Sequence, residues 1–289
     1  MISPLASVST ARPLCRAVCV RGRFSVDGAP RMPFGARESG KDQLAIGRVD
    51  GSGLNGFIRF MRLLAIDTAL DACSVAVLDG DGEGARLTRA SETLQRGHAE
   101  RLLGMIGEVM AEAGIAFSEL DRIGVTVGPG SFTGLRVGLS AARGIALVVR
   151  VPAVGVSTLA ALAAQALRES GAEQAGSAVW ATIAGRGADV YIQGFSADGT
   201  PLDAARAVAA EALGEELPDG ACLAGNGAEK IVAATARGDL VVLHTHGWPA
   251  IEDVARLGAV ADPQTARPEP LYLRPPDAAP ARRDERLLA

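Results

Sequence analysis

Residue types able to do chemistry are few and scattered in this chain. It holds three histidines, His98, His244 and His246, and four cysteines, Cys15, Cys19, Cys73 and Cys222. No serine sits in a G-x-S-x-G elbow, so a serine acyl-transfer site is not indicated. No H-x-x-x-H or H-E-x-x-H pair occurs, which disfavours a zinc or iron hydrolase. His244 and His246 lie two apart at a strand end, on one face, with no third ligand nearby in sequence. Cys73 falls inside an apolar run and reads as a small core residue. The cysteines lack paired C-x-x-C spacing, so neither a structural zinc nor a disulfide scaffold is indicated.

Three places remain where a ligand is conceivable. Asp67 closes the apolar run Arg62–Ile66 and precedes Thr68. A carboxylate there suits either metal and phosphate handling or capping of a hairpin; the connection lacks the glycine that would bring backbone N–H groups to a phosphate. The stretch Gly128-Pro129-Gly130-Ser131-Phe132-Thr133-Gly134-Leu135-Arg136 joins a strand to a helix start. Free N–H groups and the dipole at such a terminus can hold an anion, although no Walker A lysine follows. The alternative is a tight turn whose helix is capped by Ser131 or Thr133. Gly225-Asn226-Gly227 forms a similar but shorter turn. Asp67 stands where actin-like ATPases place a phosphate-handling Asp, and Gly225-Asn226-Gly227 resembles their adenosine-binding turn. That resemblance makes Asp67, Thr68, Gly130, Ser131, Gly225 and Gly227 the candidates for a weak adenine-nucleotide site, and no metal site is expected.

The elements that must position these residues begin at Met61. Arg62–Ile66, Cys73–Leu78 and Ala85–Ala90 read as three strands of a meander, with a polar connection at 67–72 and turn chemistry at Asp79-Gly80-Asp81-Gly82. A helix from His98 to about Ala113 carries an apolar arc about 160° wide, more than the ~100° stripe that covers one core. A strand at Ile123–Val127 leads into the next helix, whose Gly134, Gly138 and Ala142 recur every fourth residue. Such a small stripe lets a second helix approach, with the helix from His98 as the expected neighbour. A strand at Ala153–Val156, an N-cap at Ser157 and a helix to about Ser170 follow.

A linker at Gly171–Ser177 opens a second half. It has strands at Ala178–Ala184, Asp189–Phe195, Ala221–Ala224 and Leu240–Leu243. Its helices are expected from 228 to about Ala236 and from Ile251 to Ala261, before an extended proline-rich tail at Pro268–Pro280. Strands alternating with helices give an α/β class. Two halves that each open with antiparallel strands suggest a duplicated ribonuclease-H-like unit.

Residues 1–60 differ. They show no sustained periodicity, and they carry nine basic against four acidic residues, whereas 61–289 carry 20 basic against 29 acidic. The segment is expected to be a disordered extension upstream of a start at Met61, with an organellar presequence as the alternative. No uninterrupted apolar run reaches the length of a membrane span. A net charge of −9 from Met61 onward would repel a phosphate backbone, so any nucleic acid would have to be held by something else.

Several of these segments together resemble one family. Leu64-Ala65-Ile66-Asp67-Thr68 with Cys73-Ser74-Val75-Ala76, His98-Ala99-Glu100-Arg101-Leu102-Leu103, the Gly128–Gly138 stretch, Gly155-Val156-Ser157-Thr158-Leu159 and Pro270-Leu271-Tyr272-Leu273-Arg274 are similar to the TsaB (YeaZ-like) family. These are partner subunits in threonylcarbamoyladenosine (t6A) modification of tRNA. The resemblance covers about 61–275 and is looser in the second half, where Arg186 and Tyr191 sit near a family Arg and Val-Tyr pair.

It implies an actin-like (ASKHA) fold split at about 61–172 and 173–275, with 276–289 as a tail. It implies no catalysis by this chain. The partners implied are a TsaD-like catalytic subunit and a TsaE-like ATPase, with tRNA met only through the complex, a cytoplasmic setting and no membrane. The docking residues implied are His98, Leu102, Leu103, Ile106, Met110, Gly134, Gly138 and Ala142, and the same helix faces suit a homodimer of the free chain. The glycoprotease label given to some relatives has no nucleophile or metal set here to support it. An ATP-dependent phosphotransferase of the same superfold is the alternative reading, and a metal-dependent peptidase ranks third.

Overall fold

The computed structural model describes residues 61–80, 84–170 and 176–274. Expectations for residues 1–60, Asp81-Gly82, 171–175 and the tail beyond Arg274 lie outside the described residues.

Two five-stranded sheets repeat one topology. The first joins β1 (Arg62–Asp67), β2 (Ala72–Asp79), β3 (Arg86–Thr93), β4 (Arg122–Gly128) and β5 (Ala153–Ser157) in the order β3-β2-β1-β4-β5. β1 runs antiparallel to β2 and parallel to β4. The second joins β6 (Val179–Ala184), β7 (Asp189–Phe195), β8 (Arg206–Ala209), β9 (Cys222–Ala224) and β10 (Val241–His244) in the order β10-β9-β6-β7-β8. β6 likewise runs antiparallel to β7 and parallel to β9. Each half is thus a three-stranded meander extended by two parallel strands. Their central strands are buried along almost their whole length, because helices cover both faces.

In the first half the outer layer is α1 (His98–Ala113) and α2 (Phe132–Val149). Leu102, Met105, Ile106, Val109 and Met110 of α1 pack on Ile66, Val75 and Val77 of the sheet. In the second half the outer layer is only α4 (Leu213–Glu216) and α5 (Ala228–Thr235).

The inner helices cross between the two halves. α3 (Thr158–Glu169) follows β5, yet its Leu159, Leu162 and Ala163 pack on Ala181, Ile183 and Phe195 of the second sheet. α6 (Ile251–Val260) follows β10, yet its Ile251, Val254 and Ala255 pack on Leu63, Ala65 and Ala76 of the first sheet. Each half lends its last helix to the other. Arg168 of α3 clamps the buried Asp253 of α6 (Nη2–Oδ2 2.7 Å), and Arg122 of β4 donates to the carbonyls of Gly258, Ala259 and Ala261, at 2.9, 2.8 and 2.7 Å, capping α6. The exchange buries apolar residues of both inner faces, and such burial is the main driving force for joining the halves.

By length and composition α2 is the one helix among the described residues that could cross a membrane, with 18 residues at mean hydropathy 1.4. Its inward stripe of Gly134, Leu135, Gly138, Leu139, Ala142 and Ala146 is packed on the first sheet.

Candidate functional site

α1 begins after Gly97 and ends at Gly114, both in the left-handed region that glycine tolerates. Arg101 anchors its outer side to Glu92 of β3 (Nη2–Oε1 2.6 Å) and to Glu108 one helical stretch on (Nη2–Oε2 2.8 Å). α2 begins at Ser131, whose Oγ accepts from the Gly134 N–H (3.4 Å), so the capping alternative holds at this turn.

α1 is the neighbour of α2 as expected, but Gly134 and Gly138 of the small stripe meet the β1–β2 connection instead of a helix. A Cβ at Gly134 would lie 2.1 Å from the Thr68 carbonyl oxygen, and one at Gly138 would lie 2.5 Å from Thr68 Oγ1. The glycines let α2 press onto the β1–β2 connection, where Thr68 donates its hydroxyl to Gly134 O (2.7 Å) and the Ser131 N–H donates to Ala69 O (2.7 Å). The connection read as polar is consequently interior at Asp67, Thr68, Ala69 and Ala72.

That packing corrects the docking set. Ile106, Met110, Gly134, Gly138 and Ala142 are buried in the chain's own core, and Leu102, though almost wholly buried, borders the groove between α1 and α2. The wide arc of α1 faces the sheet and α2 at once. His98 is half-buried, with Nε2 hydrogen-bonded to Leu70 O (3.1 Å). Leu103 alone of the set is a large exposed apolar side chain, at 65%.

Around Leu103, however, other apolar side chains of α1 and α2 are left exposed, with Arg136, Ser140 and Arg143 among them. A groove of about 540 Å³ runs between α1 and α2, bordered by Ala99, Leu103, Phe132, Val137, Ser140 and Ala141. Phe132 is 47% exposed, and Leu147 and Val148 at the far end of α2 are each 80% exposed. Neighbouring apolar side chains left in water over such a length mark an interaction face. Sequence reasoning missed Phe132, though its spacing to Arg136 was a usable signal: the guanidinium carbon lies 3.8 Å from the ring centroid.

A second hollow, about 670 Å³, separates the halves. It is bordered by Gly130, Ser131 and Phe132 on one side, by Ala184 and Tyr191 on the other, and by the segment Leu271–Arg274. Of the nucleotide candidates only Gly130 and Ser131 reach it. Asp67 is fully buried; its Oδ1 accepts from the Ala69 N–H (3.0 Å) and the Thr126 hydroxyl (2.6 Å), as a hairpin cap does. Burial pushes the Asp67 carboxyl up from its ordinary range. Thr68 is equally interior. Gly225 and Gly227 serve close packing, since a Cβ on Gly225 would lie 2.1 Å from Thr182 O and one on Gly227 would lie 3.0 Å from Thr182 Cβ. Asn226 between them accepts from the Ala184 N–H (2.8 Å), which welds β9 to β6.

The rings of His244 and His246 stack at 4.7 Å, with Glu169 3.9 Å from His246 Nε2. Among the described residues no three His, Cys, Asp or Glu side chains converge as a metal-ligand group. Burial holds the His244 imidazole below its ordinary pKa.

The family model for TsaD, tRNA N6-adenosine threonylcarbamoyltransferase, matches residues 91–261. The tRNA threonylcarbamoyladenosine biosynthesis protein TsaB of Escherichia coli (strain K12) is 38% identical over 138 residues, 48% of this chain and 56% of that protein. The chain thus matches only about half the length of that curated relative. A tRNA N6-adenosine threonylcarbamoyltransferase of Jannaschia sp. (strain CCS1) is 34% identical over 116 residues, 35% of this chain and 32% of that protein. The solved structure of YeaZ from Pseudomonas aeruginosa superposes with a TM-score of 0.61 at 31% identity, covering 74% of this chain and all of that one.

Proposed function

Because the chain belongs to the TsaB (YeaZ-like) family, we propose that it is a non-catalytic partner of a TsaD-type threonylcarbamoyltransferase in t6A formation on tRNA. The observation that carries this reading is the apolar α1/α2 face around Leu103 and Phe132. A TsaD-type occupant is favoured because this chain shares sequence with the transferases across 91–261, the region that holds both helices. Two related subunits can present related helix pairs to one another, so the contact becomes a pseudo-twofold four-helix packing. The same geometry suits a homodimer of the free chain.

The sequence supports a non-catalytic role. Its three histidines are His98, whose ring is tied to Leu70 O, and the adjacent pair His244 and His246. A metal-binding H-x-x-x-H pair cannot be assembled from them. An excess of acidic residues from Met61 onward suits a subunit that leaves tRNA to its partners. A TsaE-like ATPase belongs to the same proposal, as does a cytoplasmic site of action. The phosphotransferase alternative loses ground, because the carboxylate it would use, Asp67, is sealed in the core.

The test is t6A formation in a mixture of the pathway's purified proteins, with this chain included or omitted. The reading expects product to fall to background on omission and expects none from this chain alone. Equal product without it would overturn the proposal.

A further inference from the structure

The last described residues return across the first half. The Gly155 N–H donates to Ala266 O (2.9 Å), and the Leu271 N–H donates to Val127 O at the end of β4 (2.8 Å). This second bond sets Tyr272 beside Phe132, the rings 5.4 Å apart and tilted by 36°. Arg136 covers the same Phe132 ring. Two residues further on, Arg274 forms an ion pair with Asp189 at the start of β7, in the second half. The short segment therefore touches both halves, and its one large aromatic ring rests on a residue of the docking face.

Phe132 is the shared wall of the two hollows: it borders the groove on one side and the cleft on the other. It is also the first residue of α2 and half exposed. A side chain so placed would sample several staggered rotamers unless neighbours selected one. Tyr272 and Arg136 are the neighbours that do so. An anchor fixed before a partner arrives costs less ordering on binding than one that must be fixed by it.

We infer that Tyr272 and Arg274 form a clasp that pre-positions Phe132 for the partner, so that the docking face of the first half is complete only while the segment is fastened to the second half. This rests on the docking reading above and adds two positioning residues to that face. It ties partner affinity to the closure of the cleft, because the Arg274–Asp189 ion pair spans it.

The test uses the full chain and a purified TsaD-type transferase, with binding measured by titration calorimetry. Tyr272→Ala is expected to weaken binding about tenfold, Arg274→Ala by a smaller factor, and Tyr272→Phe, which keeps the ring, by less than about twofold. A partner-free readout accompanies it: hydrogen exchange of the peptide spanning residues 130–137 should rise in Tyr272→Ala and Arg274→Ala and stay at the wild-type rate in Tyr272→Phe. Leu103→Asp is the control on the docking reading. If Leu103→Asp abolishes binding while Tyr272→Ala binds normally, the face is real and the clasp is overturned. If Leu103→Asp binds normally, the docking reading fails and takes the clasp's role with it. Equal losses in Tyr272→Ala and Tyr272→Phe, or unchanged exchange at 130–137, would also overturn the inference.

Discussion

The two halves share a strand order and differ in what covers them. Each sheet has three antiparallel strands followed by two parallel ones, and each receives its inner helix from the other half. Their outer layers diverge. The first half has helices of 16 and 18 residues, the second helices of four and eight. Short helices such as α4 and α5 do little more than seal the sheet beneath them. Long ones span farther than the sheet needs, and here the surplus is apolar. Leu103, Phe132, Leu147 and Val148 are exposed on α1 and α2, whereas among the described residues no large exposed apolar side chain lies on α4 or α5. Duplication thus supplied two equivalent frames, and elaboration of one outer layer made a face.

The strongest challenge to this contrast is to lift α2 off the sheet. Gly134→Val places side-chain atoms where only 2.1 Å separates a Cβ from the Thr68 carbonyl oxygen. A loss of about 4 kcal/mol is expected, read as a fall of about 10 °C in Tm. A wild-type Tm would mean that the glycine stripe is not what seats the helix.

Next comes the face itself. Leu103→Asp should cost about 2 kcal/mol of partner affinity, roughly thirtyfold, with Tm unchanged, because the side chain is already in water in the free chain. Ala234→Asp, at an exposed position on α5, should leave affinity within about twofold. Equal losses from both variants would erase the distinction between the halves.

Acidification should distinguish the second half. The folded-state pKa of His244 lies below its ordinary 6.5 because the ring is desolvated. The unfolded chain then binds the proton more readily, so stability present at neutral pH is lost as pH falls from about 6.5 towards the folded value. Protection of the β9 and β10 amides, taken relative to their intrinsic exchange rates, should fall over that window, and His244→Gln should flatten the response. Protection independent of pH in the wild type would show that the ring is not confined.

The smallest effect compares two thiols, one in each sheet. Burial pushes Cys73 up to about 11 and raises Cys222 as well. At pH 8 both should alkylate far more slowly than a free cysteine, by mass spectrometry of their peptides, with Cys73 the slower. A faster Cys73 would place the looser packing in the first half.

Much of the frame was legible in the residue order. The helix His98–Ala113 has its observed limits because a 3.6-residue apolar rhythm lies between two glycines. Ser157 caps α3 as its residue type suggests, accepting from the Ala160 N–H (3.4 Å). β3 runs to Thr93, beyond the expected Ala90, since pairing with β2 carries it past the point where its apolar alternation weakens. The site was less legible. Periodicity says that Gly134, Gly138 and Ala142 share a face, but a small stripe fits a helix and a strand end equally well. The same gap hid the burial of Asp67, because a loop reads as polar until a helix is set on top of it.

The sequence by itself determined the α/β class, the repeated strand pattern, the family likeness and the want of any H-x-x-x-H spacing, because these depend on local periodicity, capping and residue type. Only the tertiary structure decided which sheet each inner helix covers, since both sheets offer an apolar face and local pattern cannot choose between them. It also decided that Leu103 and Phe132, not Leu102 or Met110, are left in water, and that Tyr272 lies on Phe132 from the far end of the chain. Such contacts depend on how distant segments compete for the same buried surface, and that competition is settled only when the whole chain packs.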